Sequence, residues 1–242
     1  IIEKIAGKSD KAILFHSASG KDSIALLDLL APHFKQIVCV YMYVVKDLTH
    51  INRYIRYAER KYPNAKFIQV PHFALSSYRK YGHMGLKADD TVRLVNLNDI
   101  VGAVKERFGI EWAFLGFKKS DSMNRRLMLG RYEDEAINEQ NKACYPLSAY
   151  KNSDIIDYIK RKGLIYPESY GKSQSSGTAI DELDYLLFLR KNYPEDLKKV
   201  FADFPLSERV LFEYDYEQNK AERDDSDMEV GDKSQPHQPQ ET

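Results

Sequence analysis

Only two cysteines, Cys39 and Cys144, occur in the 242 residues. That scarcity excludes a disulfide framework and fits a reducing compartment, so a cytoplasmic location is expected. No apolar run approaches the roughly 18 residues that a membrane span needs, which sets aside a membrane partner. The opening stretch, IIEKIAGKSDK, scatters charges among its apolar residues and does not read as a secretory signal. Net charge is also missing, with 36 Lys and Arg against 36 Asp and Glu. The balance is uneven, however: residues 217–242 hold eight acidic and three basic residues, leaving the body with a modest positive excess. That excess suits anionic small ligands; nucleic acid is possible but not indicated.

What is present is strand–helix alternation. KAILF (11–15) and QIVCVYMYVV (36–45) are apolar at nearly every position, as strands buried on both faces are. KFIQV (66–70) and WAFLGF (112–117) repeat the signal in shorter form. Helical spacing predicts helices over 23–30, 50–62 and 97–108, with Asn64 and Gly109 as stops. The alternation predicts an α/β fold: a Rossmann-like parallel sheet flanked by helices over residues 1–170. Helices over 153–164, 179–193 and 194–204 follow, and 171–216 is expected to be a helical C-terminal extension. Residues 217–242, polar and acidic, are expected to be a disordered tail. The 71–96 stretch reads as a long loop, a lid or substrate-facing segment.

Between the first strand and the first helix of the sheet lies FHSASGKDS (15–23). A Walker A loop needs a glycine five positions before Gly20, where Phe15 stands, and Ser or Thr where Asp22 stands. A nucleophile elbow, G-x-S-x-G, fails at both Ser17 and Ser19. Two readings stay open from the residues: a phosphate cradle of main-chain N–H groups with the hydroxyls of Ser17, Ser19 and Ser23, or an ordinary turn with a serine N-cap. His16, directly before the loop, is within reach of a ligand in the first reading. His50, His72 and His83 lack metal-ligand spacing, so loop or core roles are expected for them.

Ser17-Ala18-Ser19-Gly20-Lys21-Asp22-Ser23 resembles the pyrophosphate-binding PP-loop, S-x-[GS]-G-x-D-S, of the adenine nucleotide alpha-hydrolase superfamily. Gly116–Arg125, GFKKSDSMNR, resembles the G-x-[RK]-x-x-[DE]-S-x-x-R loop of the phosphoadenosine phosphosulfate reductase family. YPLSAYKNSDIIDYIKRKGLIYPESY (145–170) resembles that family's P-L-x-x-W-x-x-x-D-[IV]-x-x-Y-[IL] segment, with Tyr150 where Trp is usual. The resemblance implies nucleotide binding by Ser17 to Ser23, by backbone hydrogen bonds to adenine from Tyr41, Met42 and Tyr43 at the end of the second strand, and by Gly116, Lys118 and Arg125. It implies Lys118, Arg125 and Asp22 as the catalytic set and Mg²⁺ arriving with ATP; the two cysteines lead to no iron–sulfur cluster being expected. Lys119 is expected on the same rim, and Asp154 as an N-terminal helix residue.

The chain departs from the reductases in one respect that matters. Their C-terminal E-C-G-[IL]-H segment has no counterpart, and nothing beyond Tyr170 is cysteine. Relatives with an iron–sulfur cluster need about four ligands, and two cysteines are too few. The expected chemistry is therefore ATP pyrophosphatase or adenylyl transfer linked to sulfur metabolism or modification, as in the ATP sulfurylase small subunit and nucleic-acid sulfur-modification components that the chain resembles. The acceptor is unknown. Alternatives are sulfonucleotide reduction through Cys144 and a non-catalytic nucleotide-binding module of a larger assembly, with a protein partner or a second copy.

Overall fold

The computed structural model describes residues 1–18, 20–166 and 179–231, and of 222–231 the backbone alone. Ser19, residues 167–178 (with the end of the 145–170 segment) and residues 232–242 lie outside the described residues. The strands are β1 (Lys11–Phe15), β2 (Gln36–Tyr43), β3 (Ala65–Pro71), β4 (Ala113–Phe114), β5 (Ile137–Asn138) and β6 (Ala143–Cys144). They form one sheet in the order β3-β2-β1-β4-β6-β5, parallel throughout except that β5 runs against β6. Helix α1 (Ile2–Ala6) precedes it, and α2 (Lys21–Leu30), α3 (Thr49–Lys61), α4 (Ala74–Tyr81), α5 (Leu97–Phe108), α6 (Met123–Leu129) and α7 (Asn152–Arg161) accompany it. The helical extension comprises α8 (Leu183–Asn192), α9 (Pro194–Asp203) and α10 (Ser207–Gly231).

Period-2 alternation sorts the strand residues onto two cores. Ala12, Leu14, Ile37, Cys39 and Tyr41 face one layer, filled by α2, α3, α7 and α8. Ile13, Phe15, Val38 and Val40 face the other, under α5 and α6. Both faces are covered, which is why β1 and β2 are apolar at nearly every position. Since β1 lies between β2 and β4, chain direction across the sheet reverses there, and loops leaving β1 and β4 diverge to open a crevice.

Several expectations change. The 71–96 segment is partly helical: α4 ends at Gly82, whose φ of 71° only glycine adopts freely, and a short 3₁₀ turn (His83–Gly85) follows. Helix α10 continues to Gly231, into the acidic stretch 217–242. Glu, Lys, Arg, Gln and Ala are good helix formers, and no Pro or Gly interrupts the run before Gly231. Gly109 stops α5 in the left-handed conformation as expected, with φ 60°. Asn64 does not cap α3; its side-chain amide donates to the carbonyls of Ala31 (2.8 Å) and Phe34 (2.7 Å) instead. Among the described residues, no helix is long and apolar enough to cross a membrane.

Candidate nucleotide-binding cleft

The loop leaving β1 is held by its own serines. The Ser17 N–H donates to Ser23 Oγ at 2.9 Å, and the two hydroxyl oxygens lie 2.9 Å apart. Ala18 is fully buried and left-handed at φ 55°, a conformation costing a non-glycine residue about 1–2 kcal/mol. Gly20 permits the tight return: a Cβ there would stand 2.3 Å from Ser17 Oγ. As the N-cap of α2, Gly20 supplies no side-chain acceptor, so the first-turn N–H groups stay open to an anion. The Ser17 N–H is the exception to the expected cradle, because Ser23 already takes it.

Across the crevice, Gly116 brings the chain after β4 against α2; a Cβ on it would meet Asp22 Cβ at 3.2 Å. Lys118 follows, only 1% exposed, with Nζ 2.9 Å from both Asp22 Oδ1 and Asp121 Oδ1. The Lys118 N–H donates to Asp121 Oδ2 at 2.9 Å, closing the turn. Lys21 Nζ takes the other oxygen of Asp22 at 3.0 Å. Two carboxylates thus share two ammonium groups, and their charge is nearly neutralised where a polyphosphate would otherwise be repelled. Ser122 Oγ caps α6 by accepting from the Arg125 N–H at 3.2 Å, and the Arg125 guanidinium carbon lies 3.2 Å over the Phe117 ring centroid. Burial pulls the Arg125 pKa downward, and among the described residues no carboxylate is within ion-pair distance of it. It is a planar donor set without an anion.

These residues enclose a cleft of about 520 Å³, lined by Ser17, Asp22, Ser23, Gly116, Asp121, Ser122 and Arg125 on its polar side. Phe15, Val40, Met42, Leu97, Leu115 and Phe117 form its apolar wall, with His16 and His72 also reaching it. Of the sequence-predicted residues, then, Ser17, Asp22, Ser23, Met42, Gly116 and Arg125 line one space. Ala18 and Gly20 shape the loop rather than line it. Lys118 stands behind the two carboxylates, paired with Asp22 and Asp121, and not at the cleft surface. Lys119 turns away to pair with Glu135, while its N–H donates to Ser148 O at 2.9 Å. Tyr41 faces the opposite core, and Tyr43 lines a neighbouring cleft. Val40 and Leu115 were missed; each lies two residues, or one, from an expected site residue, and strand alternation from Met42 would have found Val40.

His16 is buried, with Nε2 3.1 Å from Tyr54 Oη. Burial pushes its imidazole down to about 3, so it is neutral at physiological pH. Cys144 is fully buried, and burial pushes its thiol up to about 12; that leaves little thiolate for the nucleophilic role the reductase alternative requires. Cys39 is likewise buried, with its thiol pushed up by burial. Asp154 accepts the Lys151 N–H at 2.7 Å, the helix-start role expected of it. Among the described residues, no group of three or more His, Cys, Asp or Glu side chains is arranged to hold a metal. Asp22 and Asp121 are both engaged by lysine.

The phosphoadenosine phosphosulfate reductase domain model matches residues 12–181, well over half of the chain. The chain belongs to this family. The match runs from β1 past α7, so it takes in every residue of the cleft. Comparison with curated proteins finds no match. Solved structures similar to this family member include the U34-tRNA thiolase NcsA from Methanococcus maripaludis with its [4Fe-4S] cluster, at 14% identity and a TM-score of 0.42, covering 87% of this chain and 77% of that one. Another is the NH3-dependent NAD synthetase from Campylobacter jejuni subsp. jejuni NCTC 11168 in complex with the nitrate ion, at 12% identity and a TM-score of 0.46, covering 88% and 89%.

Proposed function

We propose that the cleft between the β1 and β4 loops binds ATP or a related adenine nucleotide and supports adenylyl transfer. The observation that carries this reading is the pairing of an unengaged Arg125 guanidinium with the open N-terminus of α2 across a cleft whose opposite wall is apolar. Phosphates meet the donors, and the adenine packs on Val40, Met42 and Leu115. A nucleophilic oxygen of the acceptor attacks the α-phosphorus; the bond to the β-bridging oxygen breaks, AMP is transferred and pyrophosphate leaves. Mg²⁺ bound with the nucleotide would supply further charge neutralisation to its phosphates. The chain's own contribution is positioning, and neutralisation of charge by Arg125 and the α2 N–H groups, while Lys21 and Lys118 offset the carboxylates that would otherwise repel the phosphates. A link to sulfur metabolism or modification is part of this proposal through the family.

Incubation with α-labelled ATP, Mg²⁺ and a panel of acceptors tests it: labelled AMP or an AMP adduct is expected, with pyrophosphate in equal amount. Nucleotide bound without either product would sink the enzymatic part and leave a binding module. Sulfite release from a sulfonucleotide that disappears in Cys144→Ala would instead restore the reductase, against the burial of that thiol.

A further inference from the structure

Beside the nucleotide cleft lies a second one of about 530 Å³, between the edge strand β3, α4 and α5. Its floor is apolar, built from Ile68, Val70, Leu75, Val95, Ile100 and Val104. Three arginines line it from three separate elements: Arg79 on α4, Arg93 in the segment that follows, and Arg107 on α5. Among the described residues, none of the three has a carboxylate within ion-pair distance. The one acid lining the cleft, Asp99, is spent on the α5 capping box, accepting the Asn96 N–H at 2.8 Å. An apolar cavity of this size with a few convergent cations has the make-up of a small-molecule site.

His72 lines both clefts and joins them. Its N–H is anchored to Tyr43 O at 2.7 Å, and its Nδ1 accepts the Ala74 N–H at 3.1 Å. Accepting at Nδ1 leaves the proton of the neutral ring on Nε2, which is a donor available at the junction.

We infer that the β3–α4–α5 cleft is the acceptor site, and that the acceptor is an organic anion with an apolar body, held by Arg79, Arg93 and Arg107 and entering the nucleotide cleft past His72. This deepens the nucleotide reading and rests on it for the word acceptor; the anion site itself does not. The charge decides the class. An uncharged lipid would make no use of the three arginines, and a polyphosphate backbone would gain nothing from the apolar floor.

The test uses 4-phenylbutyrate and its uncharged counterpart 4-phenylbutan-1-ol as probes, titrated by NMR against the full chain. The acid is expected to shift signals of Ile68, Val70, Ile100 and Val104 and to bind roughly tenfold or more tighter than the alcohol. The Arg79→Gln, Arg93→Gln, Arg107→Gln triple variant, all at exposed positions, should weaken the acid by at least about tenfold, and Ala103→Trp should block it by filling the cleft. Both variants should bind a non-hydrolysable ATP analogue as the native chain does. No shift at about 10 mM acid, equal binding of acid and alcohol, or undiminished binding by the triple variant would each overturn the site. So would a single-stranded oligonucleotide that shifts the same signals when the acid does not. If the acid binds but the ATP analogue binds nowhere, the anion site stands and the nucleotide reading falls with the acceptor role.

Discussion

At the cleft between the β1 and β4 loops Lys118 is sealed from solvent, while its partners Asp22 and Asp121 keep 24% and 33% of their side chains exposed. At the seam between α3 and α9, His50 and Asp196 are both 0% exposed. Asp196 accepts the N–H groups of Thr49 (2.6 Å) and His50 (3.3 Å), the Thr49 hydroxyl (2.9 Å) and His50 Nδ1 (3.2 Å). It therefore caps α3 from another helix, and Leu48, the residue in the N-cap position, supplies no such oxygen. Each region buries charge, with different consequences. The seam is closed on all sides and fixes how the extension docks on the sheet. The cleft keeps one side of its network open, so a ligand's phosphates can compete for the cations that now hold the carboxylates.

The largest effect should separate the two regions outright. Lys118→Met leaves two adjoining carboxylates facing incoming phosphates, and nucleotide affinity is expected to fall roughly a hundredfold by calorimetry. Asp196→Asn should lower unfolding free energy by about 3 kcal/mol in denaturant titrations while leaving nucleotide affinity within about twofold. A variant at the seam that abolished nucleotide binding in a still folded chain would erase the distinction.

Proton linkage sharpens it further. Burial alone would raise the Asp196 carboxyl, but the hydrogen bonds from His50, Thr49 and Lys199 hold it well below the usual carboxylate range. A depressed acid contributes stability that is present above its unfolded value of about 3.9 and lost as pH falls below it. The acid limb of the stability curve should therefore flatten in Asp196→Asn. Arg125→Ala comes next, with a roughly tenfold loss of nucleotide affinity and little change in stability, since its guanidinium only stacks on Phe117 in the free protein.

The smallest effect at neutral pH is His16→Phe. The folded imidazole titrates at about 3 against an ordinary value near 6.5, so the unfolded chain takes up the proton first as pH falls. Native stability from this group is complete above about 6.5 and declines towards pH 3, and the variant should lose that slope between pH 4 and pH 6.5. An unchanged slope, measured by urea midpoints, would show that His16 is not the buried neutral group the structure describes.

How much of this could be read from the sequence follows from how local each feature is. The β1 loop was legible because its small residues, its glycine and its serines are contiguous, and the crevice follows from one crossover in strand order. The two-residue strands β5 and β6 carry too little periodicity to read, and β4 is only two residues within an apolar run of six. The side-chain directions of Tyr41 and Tyr43 follow from the same alternation: with Met42 towards the cleft, its neighbours point elsewhere, and only their backbone remains at the strand end. The burial of Lys118 was not legible, because it depends on Asp22 and Asp121 meeting across the crevice, nearly a hundred residues apart in the chain. The second cleft was legible only as a long 71–96 segment that could face a substrate; that Arg79 and Arg93 there and Arg107 on α5 line one space depends on β3, α4 and α5 meeting.

Calorimetric titration of the native chain and of an Arg125→Ala, Ser23→Ala double variant with a non-hydrolysable Mg–ATP analogue bears most directly on the proposed nucleotide site. One saturable site per native chain, weakened at least about a hundredfold in the double variant, is the outcome the structure predicts. No heat with the native chain at millimolar analogue, together with an empty β1–β4 cleft in a soaked crystal, would contradict it.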